Sequence, residues 1–180
     1  MDFRFVFYVL SFLSLCVAGT LLVPMGISAA YGEAGTRAFL FSILICGGIG
    51  LAGLTLLRSG KKEIGHREGF AIVGLGWVAV CLLGALPYLL TGTFSSVVDA
   101  CFESTSGFTT TGATVIENLE ILPKGILFWR SLTHWLGGMG IILLSMAILP
   151  MLGVGGMQLY RAEVPGPVVD RLKPRIRETA

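Results

Sequence analysis

Hydrophobic and polar positions along this chain fall into long blocks, with no short alternating period. Runs free of Asp, Glu, Lys and Arg cover residues 5–32, 38–57, 69–98 and 131–160. Each reaches the roughly 20 predominantly apolar residues that a helix needs to cross a bilayer, so the pattern predicts four transmembrane helices. The first run follows Arg4, as the apolar region of a signal peptide would. It exceeds the ~7–15 residues usual for such a region and lacks a small-residue cleavage site before the next polar stretch. A retained helix is expected.

A different kind of segment separates the third and fourth runs. Residues 91–125 hold the densest cluster of Ser, Thr and Gly, with Asp99, Glu103, Glu117 and Glu120 around it. Its charge-free core, 104–116, would span only about 20 Å as a helix, too short for a hydrocarbon core of about 30 Å. Polar, non-helical backbone is tolerated at membrane depth only where protein buries it or where it lines a water-filled cavity. The segment is therefore an exposed loop or a re-entrant pore loop.

Composition sharpens this picture. The 180 residues are 54% hydrophobic and 13% charged, against about 25% charged in an ordinary soluble domain. That is too little charge to coat a soluble particle, and it is the reverse of a disordered composition. A formal net charge of +2 with scattered basic residues excludes a nucleic-acid binder; the expected surroundings are a lipid bilayer. Cys16, Cys46, Cys81 and Cys101 lack the short, patterned spacing of a disulfide framework or zinc site and read as small apolar residues. Ten of the 13 basic residues are Arg4, the Arg58, Lys61, Lys62 and Arg67 of the second turn, and Arg161, Arg171, Lys173, Arg175 and Arg177 of the tail. The positive-inside rule places all of these, and both termini, in the cytoplasm. Arg37, Lys124 and Arg130 then lie outside, and residues 91–125 enter and leave from that side.

Three local patterns invite other readings. Gly48-Ile-Gly-Leu-Ala-Gly53 matches the dinucleotide fingerprint G-x-G-x-x-G, but it sits inside an apolar run without the strand that gives the motif its meaning; small residues there serve close helix packing. Asp99 and Glu103, one turn apart, read as a helix face turned toward water. Arg130 and His134, also one turn apart, read as an interfacial anchor. Gly137, Gly138 and Gly140 give the fourth run a smooth packing face. A membrane-embedded enzyme using Asp99, Glu103 and His134, or a structural subunit joined through glycine-rich helix faces, are the alternatives to an ion pathway.

The stretch Phe102-Glu-Ser-Thr-Ser-Gly-Phe-Thr-Thr-Thr-Gly-Ala-Thr-Val115 favours the pathway. Residues 95–106 can form a short helix, with Ser95 or Ser96 as N-cap and Gly107 as its C-terminal stop. The partly negative C-terminal end would favour a cation. The uncharged, short-chained residues that follow, with a glycine free to adopt unusual dihedrals, allow backbone carbonyls to replace an ion's hydration shell. Such charge-free ligation suits a monovalent cation better than a divalent one, for which a ring of carboxylates would be expected.

These residues resemble one helix–pore loop–helix repeat of the Trk/Ktr potassium transporter superfamily. Phe128-Trp-Arg-Ser-Leu-Thr-His-Trp-Leu-Gly-Gly-Met-Gly140 and Leu149-Pro-Met-Leu-Gly-Val-Gly-Gly-Met-Gln-Leu-Tyr-Arg161 look like its TrkH branch. The resemblance implies an all-α integral membrane protein with four transmembrane helices plus a re-entrant pore helix and selectivity-filter loop. Residues 1–68 would form a leading helix pair with a basic cytoplasmic turn, 69–160 the repeat, and 161–180 a basic cytoplasmic tail that stops before further repeats. Thr110-Thr-Gly-Ala-Thr114 aligns with the potassium-channel filter strand T-V-G-Y-G. The carbonyls of Thr110, Thr111 and Gly112 would bind potassium, supported by Thr109, Ala113 and Thr114. Glycine at position 112, where sodium-passing relatives often carry serine in the first repeat, favours potassium. The function implied is potassium uptake across a bacterial inner membrane, driven by ion gradients or membrane potential. The partners implied are the remaining pore repeats or identical subunits, and a cytosolic nucleotide-binding regulatory ring. No organic cofactor and no catalytic residue is expected in this chain.

Overall fold

The computed structural model describes residues 2–57 and 66–151. The basic residues of the second turn other than Arg67, the end of the fourth apolar run and the basic tail lie outside the described residues. Described regular structure is helical throughout: α1 (Phe3–Thr20), α2 (Leu22–Ala30), α3 (Thr36–Leu56), α4 (His66–Leu90), α5 (Val97–Phe108) and α6 (Lys124–Met151). Among the described residues, three helical stretches are long and apolar enough to cross a membrane: Phe3–Ala30, Thr36–Leu56 and Arg67–Leu90. The chain divides into two compact units, Met1–Met139 and Gly140–Ala180. The second contributes the last turns of α6 to the described residues, and all packing below belongs to the first.

The first apolar run is two helices in succession. Asp2 caps α1, its carboxylate accepting from the amides of Arg4 (3.1 Å) and Phe5 (3.3 Å). Regular helix is interrupted at Leu21. Pro24, early in α2, has no amide to offer the Thr20 carbonyl, and its ring crowds that oxygen. The α1 helix packs on α3 through small residues: Ser14 Oγ donates to the Cys46 carbonyl at 2.7 Å, and Gly50 and Gly53 face Leu15 and Ser11 so closely that a Cβ on either would overlap them. Two of the three glycines in the G-x-G-x-x-G pattern thus serve packing. Gly48 has open space around it.

The contacts also sort the helix ends. Asp2 donates its amide to Glu68 at 3.2 Å, which places the start of α1 beside the start of α4. At the opposite end, Gly35 lies against Thr91 and Ser28, and Glu33 meets the first amides of α6. The segment between α4 and α6 therefore leaves from Thr91 and returns at Lys124 on one end of the helices. Between those points α5 descends between α4 and α6. Phe108, at its foot, packs edge-on against Trp129 with ring centroids 6.2 Å apart. The buried Trp129 indole donates to the Gly84 carbonyl at 3.0 Å.

Candidate functional site

The site begins at the end of α5. Ser96 is its N-cap, accepting from the Asp99 amide at 3.4 Å, and Asp99 in the first turn complements the positive end of the helix dipole. The predicted stop at Gly107 falls inside the helix, which continues to Phe108. Gly107 serves a different need: a Cβ there would overlap Thr133 on α6.

Termination follows the Schellman pattern, in which the amides after the cap return to the carbonyls of the last turn. The Thr110 amide donates to the Gly107 carbonyl and the Thr111 amide to that of Ser106, both at 3.0 Å. The same pattern ends α2, at Gly32 with φ +66°, and α4, at Gly92 with φ +71°. Both use glycine for the left-handed position, as expected. After α5 that position holds Thr110, with φ +58°, the one non-glycine residue with positive φ among those described. A β-branched side chain there costs roughly 1–2 kcal/mol. Two residues on, Gly112 has φ +77° and no atom within 4 Å of a Cβ built on it. Positive φ at 110 and 112 reorients the peptide planes of 110–113 out of the alternation of a β-strand.

The far end of this segment is tied back to α5. Ser106 Oγ donates to the Ala113 carbonyl at 2.5 Å. The Glu103 carboxylate, on a residue only 1% exposed, accepts from Thr114 Oγ1 at 2.9 and 3.1 Å and from the Val115 amide at 3.2 Å. Arg130 Nε on α6 reaches Glu103 Oε1 at 2.7 Å and neutralises the buried charge. The Arg130 carbonyl in turn accepts from Thr133 Oγ1 at 2.7 Å and lies 2.9 Å from His134 Nδ1. Thr109 to Val115 are otherwise exposed along their length.

The profile of a family described as "TrkH: Cation transport protein" matches residues 36–180. The chain belongs to the TrkH cation transport family. It is 46% identical over its whole length to the Trk system potassium uptake protein TrkH of Halomonas elongata, and 45% identical to the protein of that name in Escherichia coli K12. It spans 38% of the length of each. The crystal structure of the potassium transporter TrkH from Vibrio parahaemolyticus superposes with a TM-score of 0.82 at 41% identity, over 91% of this chain and 35% of that one. The resemblance seen in the pore-loop and glycine motifs is thus a family relationship.

In this TrkH-family chain, the structure corrects one expectation drawn from spacing and adds detail to two others. Glu103 does not face water; it is buried and holds the loop. Arg130, read from its spacing as an interfacial anchor, is also the ion-pair partner of Glu103. Close packing of α6 on the loop falls to Gly137, where a Cβ would overlap the Phe108 carbonyl, whereas a Cβ on Gly138 would make only an ordinary 3.9 Å contact with Thr110. The Glu103–Arg130 pair was missed because its members are 27 residues apart. A usable signal was present: a carboxylate and a guanidinium beside uncharged, helix-forming segments of a membrane protein call for mutual neutralisation.

Proposed function

We propose that residues 109–114 form one wall of a potassium filter, in which the carbonyls of Thr110, Thr111 and Gly112 bind the ion and Thr109, Ala113 and Thr114 support them. The observation that carries this reading is the positive φ at both Thr110 and Gly112, directly after a short helix whose segment leaves and returns at one end of the bundle. The Ala113 carbonyl is occupied by Ser106, consistent with ligation ending at Gly112. Potassium is the ion because the family's named relatives take it up, and because neutral carbonyls suit a monovalent cation.

The exposed loop gives one open wall. Backbone exposed at membrane depth requires cover, and further repeats or identical subunits supply it. The proposed architecture has four transmembrane helices, the fourth within residues 131–160, plus the re-entrant α5 and its loop. Residues 1–68, 69–160 and 161–180 act as leading pair, pore repeat and basic tail. The setting is a bacterial inner membrane with both termini cytoplasmic, where the basic turn and tail can dock a nucleotide-binding regulatory ring. The test is complementation. The full-length gene should restore growth on limiting potassium to bacteria lacking other uptake systems, and Gly112→Ser at equal membrane abundance should not. Unimpaired growth with the variant contradicts the filter.

A further inference from the structure

We propose that Glu103 is a specificity-determining positioning residue, whose carboxylate fixes the Thr114–Val115 end of the loop and thereby the ion preference of the carbonyls before it. The proposal rests on the filter reading above. It comes from the connectivity of one buried side chain. Both Glu103 oxygens are engaged: Oε1 takes Arg130 Nε and Thr114 Oγ1, and Oε2 takes Thr114 Oγ1 and the Val115 amide. Hydrogen bonds to a charged acceptor are shorter and stronger than neutral ones, and in a low-dielectric surrounding they hold their geometry firmly.

The loop would otherwise be free to move. Its residues are exposed from Thr109 to Val115, and a Cβ built on Gly112 would meet no atom within 4 Å. The α5 Schellman bonds fix the loop where it begins, at Thr110 and Thr111. Ser106 and Glu103, one turn apart on the same helix, fix it where it ends, at Ala113 and at Thr114–Val115. The positive-φ residues lie between these two attachments, so the distance between attachments sets how far their carbonyls reach toward an ion. Arg130 makes the arrangement sustainable, since a buried carboxylate is costly without an oppositely charged partner.

A role in shape alone and a role in ion preference give different results. Loss of folding lowers the flux of every ion together, whereas a displaced filter changes the ratio. Rubidium and sodium influx are measured for the full-length protein in bacteria lacking other potassium uptake, normalised to protein at the membrane. Glu103→Gln should lower the rubidium-to-sodium ratio about tenfold. Thr114→Val should shift it the same way by less, since the Val115 amide bond remains. Asp99→Asn, one turn earlier on α5, should leave it unchanged. Gly112→Ser is the control for the filter. If it changes the ratio while Glu103→Gln does not, the positioning role is overturned and the filter stands; if neither changes it, both fall. Should Glu103→Gln fail to reach the membrane, Thr114→Val decides, and an unaltered ratio there overturns the proposal.

Discussion

Gly137 of α6 lies directly against the carbonyl of Phe108, the last helical residue of α5. The two backbones meet with no room for a side chain, so the depth at which the loop begins is set by a glycine on another helix. Gly137→Ala must therefore push α5 and α6 apart, and overpacking of this kind costs about 1–3 kcal/mol. The variant should give less folded protein and a lower melting temperature in detergent. Gly138→Ala, whose Cβ would make only an ordinary 3.9 Å contact with Thr110, should melt close to the parent. Equal melting of the two would show that the contact does not constrain the fold.

Glu33 joins the turn between α2 and α3 to the start of α6. Its carboxylate accepts from the amides of Lys124 and Gly125, acting as a cap supplied from 91 residues away in sequence. A negative group at a helix start is favoured by both hydrogen bonding and the dipole. Glu33→Ala should destabilise the folded protein by about 1–2 kcal/mol, and Glu33→Gln, which keeps one acceptor, by less. Thermal unfolding of the purified variants checks the order.

Thr110 breaks the rule that Gly32 and Gly92 obey. Thr110→Gly should relieve about 1–2 kcal/mol of backbone strain, offset by roughly 0.5–1 kcal/mol from the greater freedom of glycine in the unfolded chain. The variant should be at least as stable as the parent but take up rubidium more slowly, the signature of strain kept for function. A variant that is both less stable and fully active would show that the threonine is there for packing.

What the sequence made legible follows from range. The apolar blocks are read over 20 or so residues, the scale on which a bilayer selects, and α1 to α4 and α6 fall on them with shifted ends. Pro24 explains the break at Leu21, and its effect is also local. The end of α5 was misplaced because glycine is the usual stop, while here Gly107 answers to Thr133 and Thr110 takes the left-handed turn. Glu33 with Gly125, and Glu103 with Arg130, join distant segments, so no spacing rule within one helix reveals them. The threonine–glycine loop was found by composition; its tie to Glu103 required the fold.

Sidedness has its own check. In a background without the four native cysteines, a cysteine at Glu117 should react with an impermeant thiol reagent added outside, and one at Lys62 only from inside, as the distribution of basic residues requires. Labelling of Lys62→Cys in intact cells would reverse the orientation.

The most direct measurement of the central claim is the ion preference of Gly112→Ser in the full-length protein reconstituted into liposomes, read as potassium and sodium competition against rubidium influx. Position 112 is uncrowded and has φ +77°, so a side chain there strains the loop backbone without disturbing packing within this chain. The account predicts a protein that folds and melts like the parent within about 1–3 kcal/mol yet loses about tenfold or more of its preference for potassium over sodium. An unchanged preference in the well-folded variant would contradict the assignment of residues 109–114 as the filter.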